Sequence, residues 1–362
     1  MLNSLYEKAI TKKGFFEEID SESTIEAQLN YKWEDVPILE SEDDFSIAAG
    51  DGSFNKKKFL SSNFCAVCAE SLIYDGEMKQ VEYSDIYEIP HISFLDEILS
   101  NYMSIFELKC GLKSLNEYDA DYYLLDGSIF GDLQNPYPKS VKYPDLVKNN
   151  LDDSLVAEFE QRVISNTNEA LSFENIKKNI LVNPTLDVET PEKTQIETWE
   201  INLYLAAIEK LIILKNILEN KKKIISISKS SSDRELFNWN IPDISFLDKY
   251  TNKQGLSIPI NKKVSRDISV NFPVFNTFFN KLEFTIFYVR LDNNRNVLKV
   301  EVPYKASRKE ILDISQKINQ LAVQGYPYLL NKAHNDVVIT DKNINELLKI
   351  AKIYETTNRE ML

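Results

Sequence analysis

The sequence predicts an α/β protein in which a mixed β-sheet is flanked by helices. The chain opens with strand-like runs such as "FSIAAGDGSF" (45–54), continues with a helical pattern over 93–113, and reaches a further apolar run, "ADYYLLDGSIF" (120–130). An antiparallel start followed by a helix and another strand is typical of an α/β core. With 362 residues, 43% of them hydrophobic, the chain is long enough to bury a sizeable core.

The first part of the chain predicts one helix and three strands. Apolar residues recur near helical spacing over residues 1–30. The first strand ends at Asp51, the second is "KKKFLSSNFCAVCAESLIYDG" (56–76) and the third is "EMKQVEYSDIYEI" (77–89). Asp75 and Gly76 separate the second strand from the third, and Asp-Gly at such a position indicates a hairpin turn.

The rest of the chain alternates between helices and strands. Residues 151–222 are mostly helical and charge-rich, broken by a loop at 182–193, and we interpret them as an insertion within a single domain of residues 1–362. Further predictions are a strand within 222–233, two strands within 282–304, and helices near 308–323 and 342–356. The last two helices flank "QGYPYLLNKAHNDVVIT" (324–340), in which His334 precedes a short apolar strand.

Charge and cysteine content limit the classes of function. The net charge of −14 argues against a protein that coats nucleic acid through its overall field, so any such contact would be local, in a lined groove. No apolar stretch approaches the ~20 residues of a membrane span, and the N-terminus lacks a signal-peptide core. Three cysteines suit a reducing compartment, so we expect a cytoplasmic protein. Cys65 and Cys68 form a CxxC without a second Cys or His pair, which is weak support for a zinc site.

Two aspartates follow similar apolar runs, and two explanations fit them. Asp51 in "AAGDGSF" and Asp126 in "LLDGSIF" are either ordinary Asp-Gly turns or carboxylates that neighbouring parallel strands bring to one place. Divalent ions that assist phosphodiester hydrolysis need several hard oxygen ligands from different elements. In that interpretation the glycine beside each aspartate leaves room for a phosphate.

Other candidate residues are a glutamate and two histidines. Glu107 lies on or beside the apolar face of the 93–113 helix, where a carboxylate is costly unless it is paired or bound to metal. Asp96 and Glu97 are alternatives, although the first helical turn suits them as partners of the helix dipole. Of the two histidines, His91 reads as a loop residue, and His334 is either a solvated loop residue or a functional one.

In their order along the chain, these pieces resemble the NurA family of DNA-end-processing nucleases. The resemblance rests on "AAGDGSF", on a glutamate in the helix before "YLLDGSIF", and on the late "GYPYLLNKAH". It implies an RNase H-like central fold and a nuclease that requires Mn²⁺, with Mg²⁺ as the alternative. It also implies endonuclease action on single-stranded DNA, 5′ to 3′ exonuclease action in the end resection of double-strand breaks, a homodimer, and docking on a hexameric HerA-type translocase.

The resemblance also implies a role for each candidate residue. Asp51, Glu107 and Asp126 would be the metal ligands, and Tyr326 and His334 would complete the site, His334 at the scissile phosphate or leaving oxygen. Tyr328 competes with Tyr326 for its role. A further candidate is Lys229, at the end of "IISISKS", which either meets a phosphate or is a solvated lysine at a strand end.

The remaining expectations concern assembly and competing functions. The 151–222 region would shape the DNA channel or the dimer, and apolar residues near the N-terminus (Leu2, Leu5, Phe15 and Phe16) would contact a second subunit or the translocase. Two other functions remain open at this point: a catalytically silent adaptor that only binds an ATPase partner, and an RNase H-like hydrolase that cleaves RNA.

Overall fold

The computed structural model describes residues 3–12, 29–141, 151, 153–165, 170–174, 177, 191–264 and 278–353. The helices are α1 (Asn3–Thr11), α2 (Leu95–Asn116), α3 (Ile129–Gln134), α4 (Asp153–Ser165), α5 (Pro191–Glu219), α6 (Asp243–Tyr250), α7 (Arg308–Gln320), α8 (Tyr328–Val337) and α9 (Asp341–Ala351). The strands are β1 (Trp33–Asp35), β2 (Ile47–Lys58), β3 (Ser62–Tyr74), β4 (Met78–Pro90), β5 (Tyr122–Asp126), β6 (Ile224–Ser228), β7 (Gly255–Ser257), β8 (Ile260–Lys263), β9 (Glu283–Arg290), β10 (Leu298–Val302), β11 (Ala322–Val323) and β12 (Tyr326–Pro327).

The described strands form one large mixed sheet and one short hairpin. The order in the large sheet is β1-β7-β9-β10-β6-β5-β2-β3-β4, with β8 also paired to β9. β2, β3 and β4 form an antiparallel meander, whereas β5 is parallel to both β2 and β6. The fold class predicted from the sequence, a mixed sheet flanked by helices, is therefore confirmed.

Helices cover both faces of this sheet. On one face α2 and α5 pack over a cluster that includes Ala48, Tyr123 and Leu125. On the other face α7 and α8 pack over a cluster that includes Ile47, Ala49 and Leu124. Because side chains alternate along a strand, odd and even positions of β2 face different helical layers. Most side chains of α5 from Ile201 to Leu218 are buried, as expected of a helix inside a protein core.

Several predicted elements are confirmed. The Asp75–Gly76 hairpin joins β3 to β4, and Gly76 has φ of +99°, a left-handed backbone that glycine adopts without strain. The helix predicted over 93–113 is α2, the buried strand is β5, and the strand predicted within 222–233 is β6. The strands predicted within 282–304 are β9 and β10, and the last two predicted helices are α7 and α9.

Two local predictions were wrong. β2 does not end at Asp51 but continues to Lys58, because every residue from Asp51 onward stays paired with β3. His334 does not lie in a loop before a strand but within α8, whose apolar residues Leu329, Leu330 and Ala333 are buried at helical spacing.

Other predictions fall partly on residues that are not described. The N-terminal helix is confirmed over Asn3–Thr11, where Leu5 is exposed, whereas Leu2, Phe15 and Phe16 lie outside the described residues. Of the loop predicted over 182–193, residues 182–190 lie outside the described residues, and residues 191–193 belong to α5 and not to a loop. α4 and α5 fall within the 151–222 region, but its role as an insertion in a single domain stays a prediction. Among the helices of the described residues, none combines the length and apolar content that a membrane span requires.

Candidate active site

The parallel pairing of β2 with β5 brings Asp51 and Asp126 together. The last register pair between the two strands is Gly50 with Leu125, so the two aspartates are the next residues on neighbouring strands. Each lies two positions after a residue that faces the α7 and α8 layer, which places both carboxylates on that face. Their side chains are only 15% and 21% exposed. The adjacency that the repeated sequence pattern suggested is present in the structure.

The glycines of the two Asp-Gly pairs, Gly127 and Gly52, are required for different structural reasons. Gly127 has φ of +121°, and this left-handed residue ends β5 before Ser128 caps α3 by accepting a hydrogen bond from the Gly131 amide. Gly52 instead lies inside β2, where a Cβ would come within 2.7 Å of Met103 Cγ on α2. The missing side chain of Gly52 therefore makes room for α2, and not for a phosphate as the sequence suggested.

Gly50 is also required by close packing. A Cβ at Gly50 would lie 2.4 Å from the hydroxyl oxygen of Tyr123 and 2.9 Å from the backbone oxygen of Glu70. The same hydroxyl donates to the backbone oxygen of Glu107 at 3.5 Å. The small residues beside Asp51 thus allow α2 to approach the sheet closely, with Glu107 in this contact.

Glu107 approaches the aspartates from the other helical layer. α2 packs on the face opposite α8, and beyond Asp51 the strand β2 has no β5 residue beside it, because β5 ends at Asp126. Burial raises the pKa of Glu107 well above its usual value, repulsion by Asp51 raises it further, and Lys210 opposes the shift. Lys210 also bonds Asp132 of α3 at 2.7 Å. Glu107 therefore lies within electrostatic range of Asp51.

His334 reaches Asp51 directly from α8. Its Nδ1 lies 2.6 Å from Oδ2 of Asp51, and the histidine side chain is 54% exposed. With a carboxylate as acceptor, Nδ1 carries the proton in this hydrogen bond. Nε2 is then the ring nitrogen available for proton exchange with another group.

Tyr326 and Lys229 both contact Asp126. The Tyr326 hydroxyl donates to Oδ2 of Asp126 at 3.4 Å, and Lys229 Nζ lies 3.4 Å from the same oxygen. The ammonium group also lies 4.4 Å from the centroid of the Tyr326 ring, a cation–π distance. Burial raises the pKa of Asp126, an effect that Lys229 opposes. Burial likewise raises the pKa of Tyr326, so that its hydroxyl stays protonated at neutral pH.

The structure adds supporting residues that sequence reasoning missed. The fully buried Glu301 of β10 accepts hydrogen bonds from Ser128 Oγ at 2.6 Å and from the Phe130 amide at 3.0 Å, and it pairs with Lys299. These bonds fix the turn that follows Asp126. Glu70, on β3, pairs in register with Asp51 and is also buried. The only sequence signal for Glu70 was a charged residue within a mostly apolar strand. Glu301 lies in β10, where charged and apolar residues alternate, and such a pattern predicts exposed charges.

The remaining candidates lie elsewhere or serve other purposes. Asp96 pairs with Lys56, and Glu97 accepts a hydrogen bond from the Lys139 amide. His91 lies in the loop after β4, as expected, and contacts Asn63 and the backbone oxygen of Leu60.

The cysteine pair is not arranged as a metal site. Cys65 and Cys68 are an odd number of residues apart on β3 and therefore face opposite sides of the sheet. Burial raises the pKa of the two thiols to about 12 and about 11. Neither thiol is poised to ionise at neutral pH, as metal ligation requires.

An acidic cleft at the end of β5 is formed by the carboxylates and the side chains that contact them, namely Asp51, Glu107, Asp126, His334, Tyr326 and Lys229. Within the described ranges, no three His, Cys, Asp or Glu side chains are gathered closely enough to hold a metal ion as they stand. Asp51 is engaged by His334, and Asp126 by Tyr326 and Lys229. The fold and the cleft define an α/β protein with partly buried carboxylates that converge from two strands and a helix.

Comparison with known proteins identifies the family. The sequence model of the NurA domain matches residues 45–339, and the chain belongs to the NurA family. The "Probable DNA double-strand break repair nuclease NurA" of Methanocaldococcus jannaschii is 30% identical over 341 residues, covering 90% of this chain and 82% of the relative. The "DNA double-strand break repair nuclease NurA" of Saccharolobus solfataricus is 26% identical over 330 residues, covering 90% and 86%.

Solved structures show the same fold. The NurA nuclease from Sulfolobus solfataricus superposes with a TM-score of 0.70 at 23% identity, covering 97% of both chains. A NurA bound to dAMP and manganese gives a TM-score of 0.72 at 18% identity, covering 100% of both chains. These similarities show a shared architecture over essentially the whole chain. The match to the NurA domain confirms the family resemblance seen in the sequence.

Proposed function

We propose that this chain is a DNA nuclease that hydrolyses phosphodiester bonds with a divalent metal ion. The observation that carries the proposal is the side-by-side placement of Asp51 and Asp126 through the β2–β5 register, with Glu107 within electrostatic range of Asp51 from the opposite layer. The family members from Methanocaldococcus jannaschii and Saccharolobus solfataricus are named repair nucleases, which supports the same activity here.

The donor set suits a hard divalent cation. Asp51, Asp126 and Glu107 would supply carboxylate oxygens to Mn²⁺, with Mg²⁺ as the alternative, and both ions favour oxygen ligands. The relative solved with dAMP and manganese supports Mn²⁺. Burial, together with the negative charges of Asp51 and Asp126, raises the pKa of Glu107, and a bound cation would relieve this unfavourable arrangement. A bound ion would activate water and stabilise negative charge on the phosphate.

His334, Lys229 and Tyr326 would each have a separate role in the reaction. His334, oriented by its hydrogen bond to Asp51, would exchange a proton with the leaving oxygen through Nε2. Lys229 would bind a phosphate oxygen of the substrate. Tyr326, held between Lys229 and Asp126, would position the nucleotide next to the reacting phosphate, by its ring or by its hydroxyl.

The finer properties of the enzyme are part of the same proposal. We infer single-strand endonuclease and 5′ to 3′ exonuclease activity in the resection of double-strand breaks, in the cytoplasm. The enzyme would act as a homodimer, the commonest symmetric assembly. A HerA-type hexameric translocase would deliver the DNA, which suits a chain of net charge −14 that cannot attract DNA by its overall field. Family membership supports this proposal.

The central test compares Asp126→Asn with a matched carboxylate variant. Asp119→Asn removes the same charge at a side chain that is 93% exposed and pairs with Lys223. With Mn²⁺, we expect Asp126→Asn to abolish cleavage of single-stranded DNA and Asp119→Asn to cleave as the wild type does, both with unchanged circular dichroism. Near-normal cleavage by a folded Asp126→Asn protein would refute the site.

Two further measurements separate the competing functions and roles. A folded wild type that cleaves neither single-stranded DNA nor matched RNA with Mn²⁺ would be an adaptor, and preferential cleavage of RNA would make it an RNA hydrolase. His334→Ala should lower turnover by ~10²-fold or more while leaving Mn²⁺ affinity nearly unchanged, as expected of an acid–base group. Loss of Mn²⁺ binding in calorimetry would instead make His334 a metal ligand.

A further inference from the structure

A groove of about 640 Å³ opens beside the acidic cleft. Lys229 and Tyr326, the two residues that contact Asp126, form part of its wall. The wall continues with Arg295, from the turn between β9 and β10, and with Tyr328 and Asn331 on α8. This volume lies in the range of ~300–1,000 Å³ that is usual for small-ligand sites. The groove therefore has room for a nucleotide-sized segment directly adjoining the proposed reacting centre.

Two tight turns shape the outer end of this groove. Gly325, in the turn of the β11–β12 hairpin, has φ of +79°. A Cβ at Gly325 would lie 2.8 Å from Cβ of Arg295, so the missing side chain lets the two turns pack against each other. Asn294, directly before Arg295, also has positive φ, at 57°. Tyr326 follows Gly325 directly, and the same contact therefore fixes the position of Arg295 relative to Tyr326.

The charge and aromatic content of the groove favour a polyanion with planar groups. Arg295 is exposed, and no carboxylate in the described part of the chain forms an ion pair with it, whereas Arg290 and Arg308 are paired with Asp248 and Glu34. Tyr328 is 45% exposed at the start of α8. A guanidinium matches the geometry of a phosphate, and an exposed tyrosine ring can stack on an unpaired base.

We propose that this groove binds the single DNA strand next to the scissile phosphate, with Arg295 on a backbone phosphate and Tyr328 stacked on a base. The inference rests on the proposed nuclease function and adds the path that the substrate takes out of the cleft. Stacking requires a base that is not already stacked in a duplex, so the occupant is a single strand. Tyr328 thus has a binding role that is separate from the role of Tyr326 at Asp126.

The test uses two substrates of different reach. Thymidine 5′-(p-nitrophenyl) phosphate occupies only the reacting centre, whereas a long fluorescein-labelled single-stranded DNA also fills the groove. Arg295→Ala and Tyr328→Ala should each weaken DNA binding about tenfold in fluorescence anisotropy with Ca²⁺, within the range measured for stacking and phosphate contacts. Hydrolysis of the small diester with Mn²⁺ should stay unchanged. Arg308→Ala, which removes an exposed arginine outside the groove, should change neither quantity.

Salt dependence distinguishes a phosphate contact from a structural effect. Arg295→Ala should reduce the slope of log Kd against log salt by about 0.7, the value expected for one phosphate contact on single-stranded DNA. Tyr328→Ala should leave that slope unchanged, since stacking releases no counterion. Arg295→Lys should recover the slope of the wild type.

The possible results separate this inference from the proposed function. If the wild type hydrolyses both substrates but the folded Arg295 and Tyr328 variants bind DNA as tightly as the wild type, the groove is not the strand path and the nuclease function stands. If the folded wild type hydrolyses neither substrate, both the proposed nuclease function and the inference about the groove are refuted. Tighter binding of a matched single-stranded RNA than of the DNA would overturn DNA as the occupant.

Discussion

The buried ion pair between Lys109 and Glu209 makes the sharpest stability prediction. It joins α2 to α5, its N···O distance is 2.8 Å, and the two side chains are 4% and 0% exposed. Lys109 also donates to the backbone oxygen of Ala170 and to Ser172 Oγ, each at 3.1 Å. Glu209 accepts from the amides of Ser172 and Phe173 at 2.9–3.0 Å. We expect Lys109→Met to fill the same space while leaving the carboxylate of Glu209 without its counter-charge.

The size of the effect follows from this geometry. Removal of one partner of a buried pair costs about 3–5 kcal/mol, because the other charge stays away from water without compensation. The two amide donors to Glu209 remain, which favours the lower part of that range. Lys342→Met is the matched control, since Lys342 is 84% exposed and its ion pair with Glu346 spans 4.0 Å. An exposed pair of this kind contributes little to stability, so the control should unfold as the wild type does.

The assay is equilibrium unfolding in urea, followed by both circular dichroism and tryptophan fluorescence. Coincident transitions would justify a single free energy of unfolding for this long chain. Lys109→Met and Glu209→Gln should each lower it by several kcal/mol. The double variant should lose at least ~1 kcal/mol less than the sum of the single losses, because both charges are then gone while the side-chain oxygen of the introduced glutamine still accepts from the amides. Additive losses, or a single Lys109→Met loss below ~1 kcal/mol, would refute the argument that the pair is coupled and buried.

Three further predictions concern the surroundings of the cleft. Gly50→Ala should lower the free energy of unfolding by about 1–3 kcal/mol in urea titrations, because its Cβ would meet a backbone oxygen as well as a buried hydroxyl. Gly52→Ala should lower it less, because the methionine side chain that its Cβ would meet can rotate away. Equal losses of free energy in the two variants would contradict this prediction. Burial raises the pKa of the Cys68 thiol to about 11, so this thiol should react slowly with Ellman's reagent at pH 8 and faster as the pH rises toward that pKa. In urea it should react at once. Rapid reaction of the native protein at pH 8 would show that the thiol is not protected. Tyr326→Phe keeps the ring beneath Lys229 and should retain more DNA cleavage than Tyr326→Ala, whereas equal losses in a gel assay would assign the role of Tyr326 to its hydroxyl.

Much of the fold near the cleft could be predicted because its signals are local. The Asp-Gly turn between β3 and β4, the apolar face of α2 and the short buried strand β5 each depend on residues close together in the chain. The pattern of an apolar run followed by Asp-Gly-Ser correctly singled out Asp51 and Asp126 as a pair. Glu107 and His334 were candidates from their own positions, and the family resemblance gave roles to both and to Tyr326. The structure places Tyr326 against Asp126 and His334 against Asp51.

Other features depended on contacts between distant parts of the chain. The sequence could not show that β2 continues past Asp51, because that continuation is decided by pairing with β3. From the sequence, His334 was predicted to be a loop residue. The few apolar positions of α8 become one helical face only because they pack on the sheet. Buried charges such as Glu301 were missed because their burial is justified by partners that are far away in sequence.

The sequence by itself therefore determined the order of the elements from β2 to β5, the class of fold and the two aspartates, all of which follow from residue spacing and turn chemistry. Only the tertiary structure decided the β2–β5 register that sets Asp51 beside Asp126, the approach of Glu107 from the opposite layer, and the groove between Lys229 and Arg295. The physical reason is that a strand register and a helix packing position are fixed by many weak contacts acting together. No short segment contains those contacts.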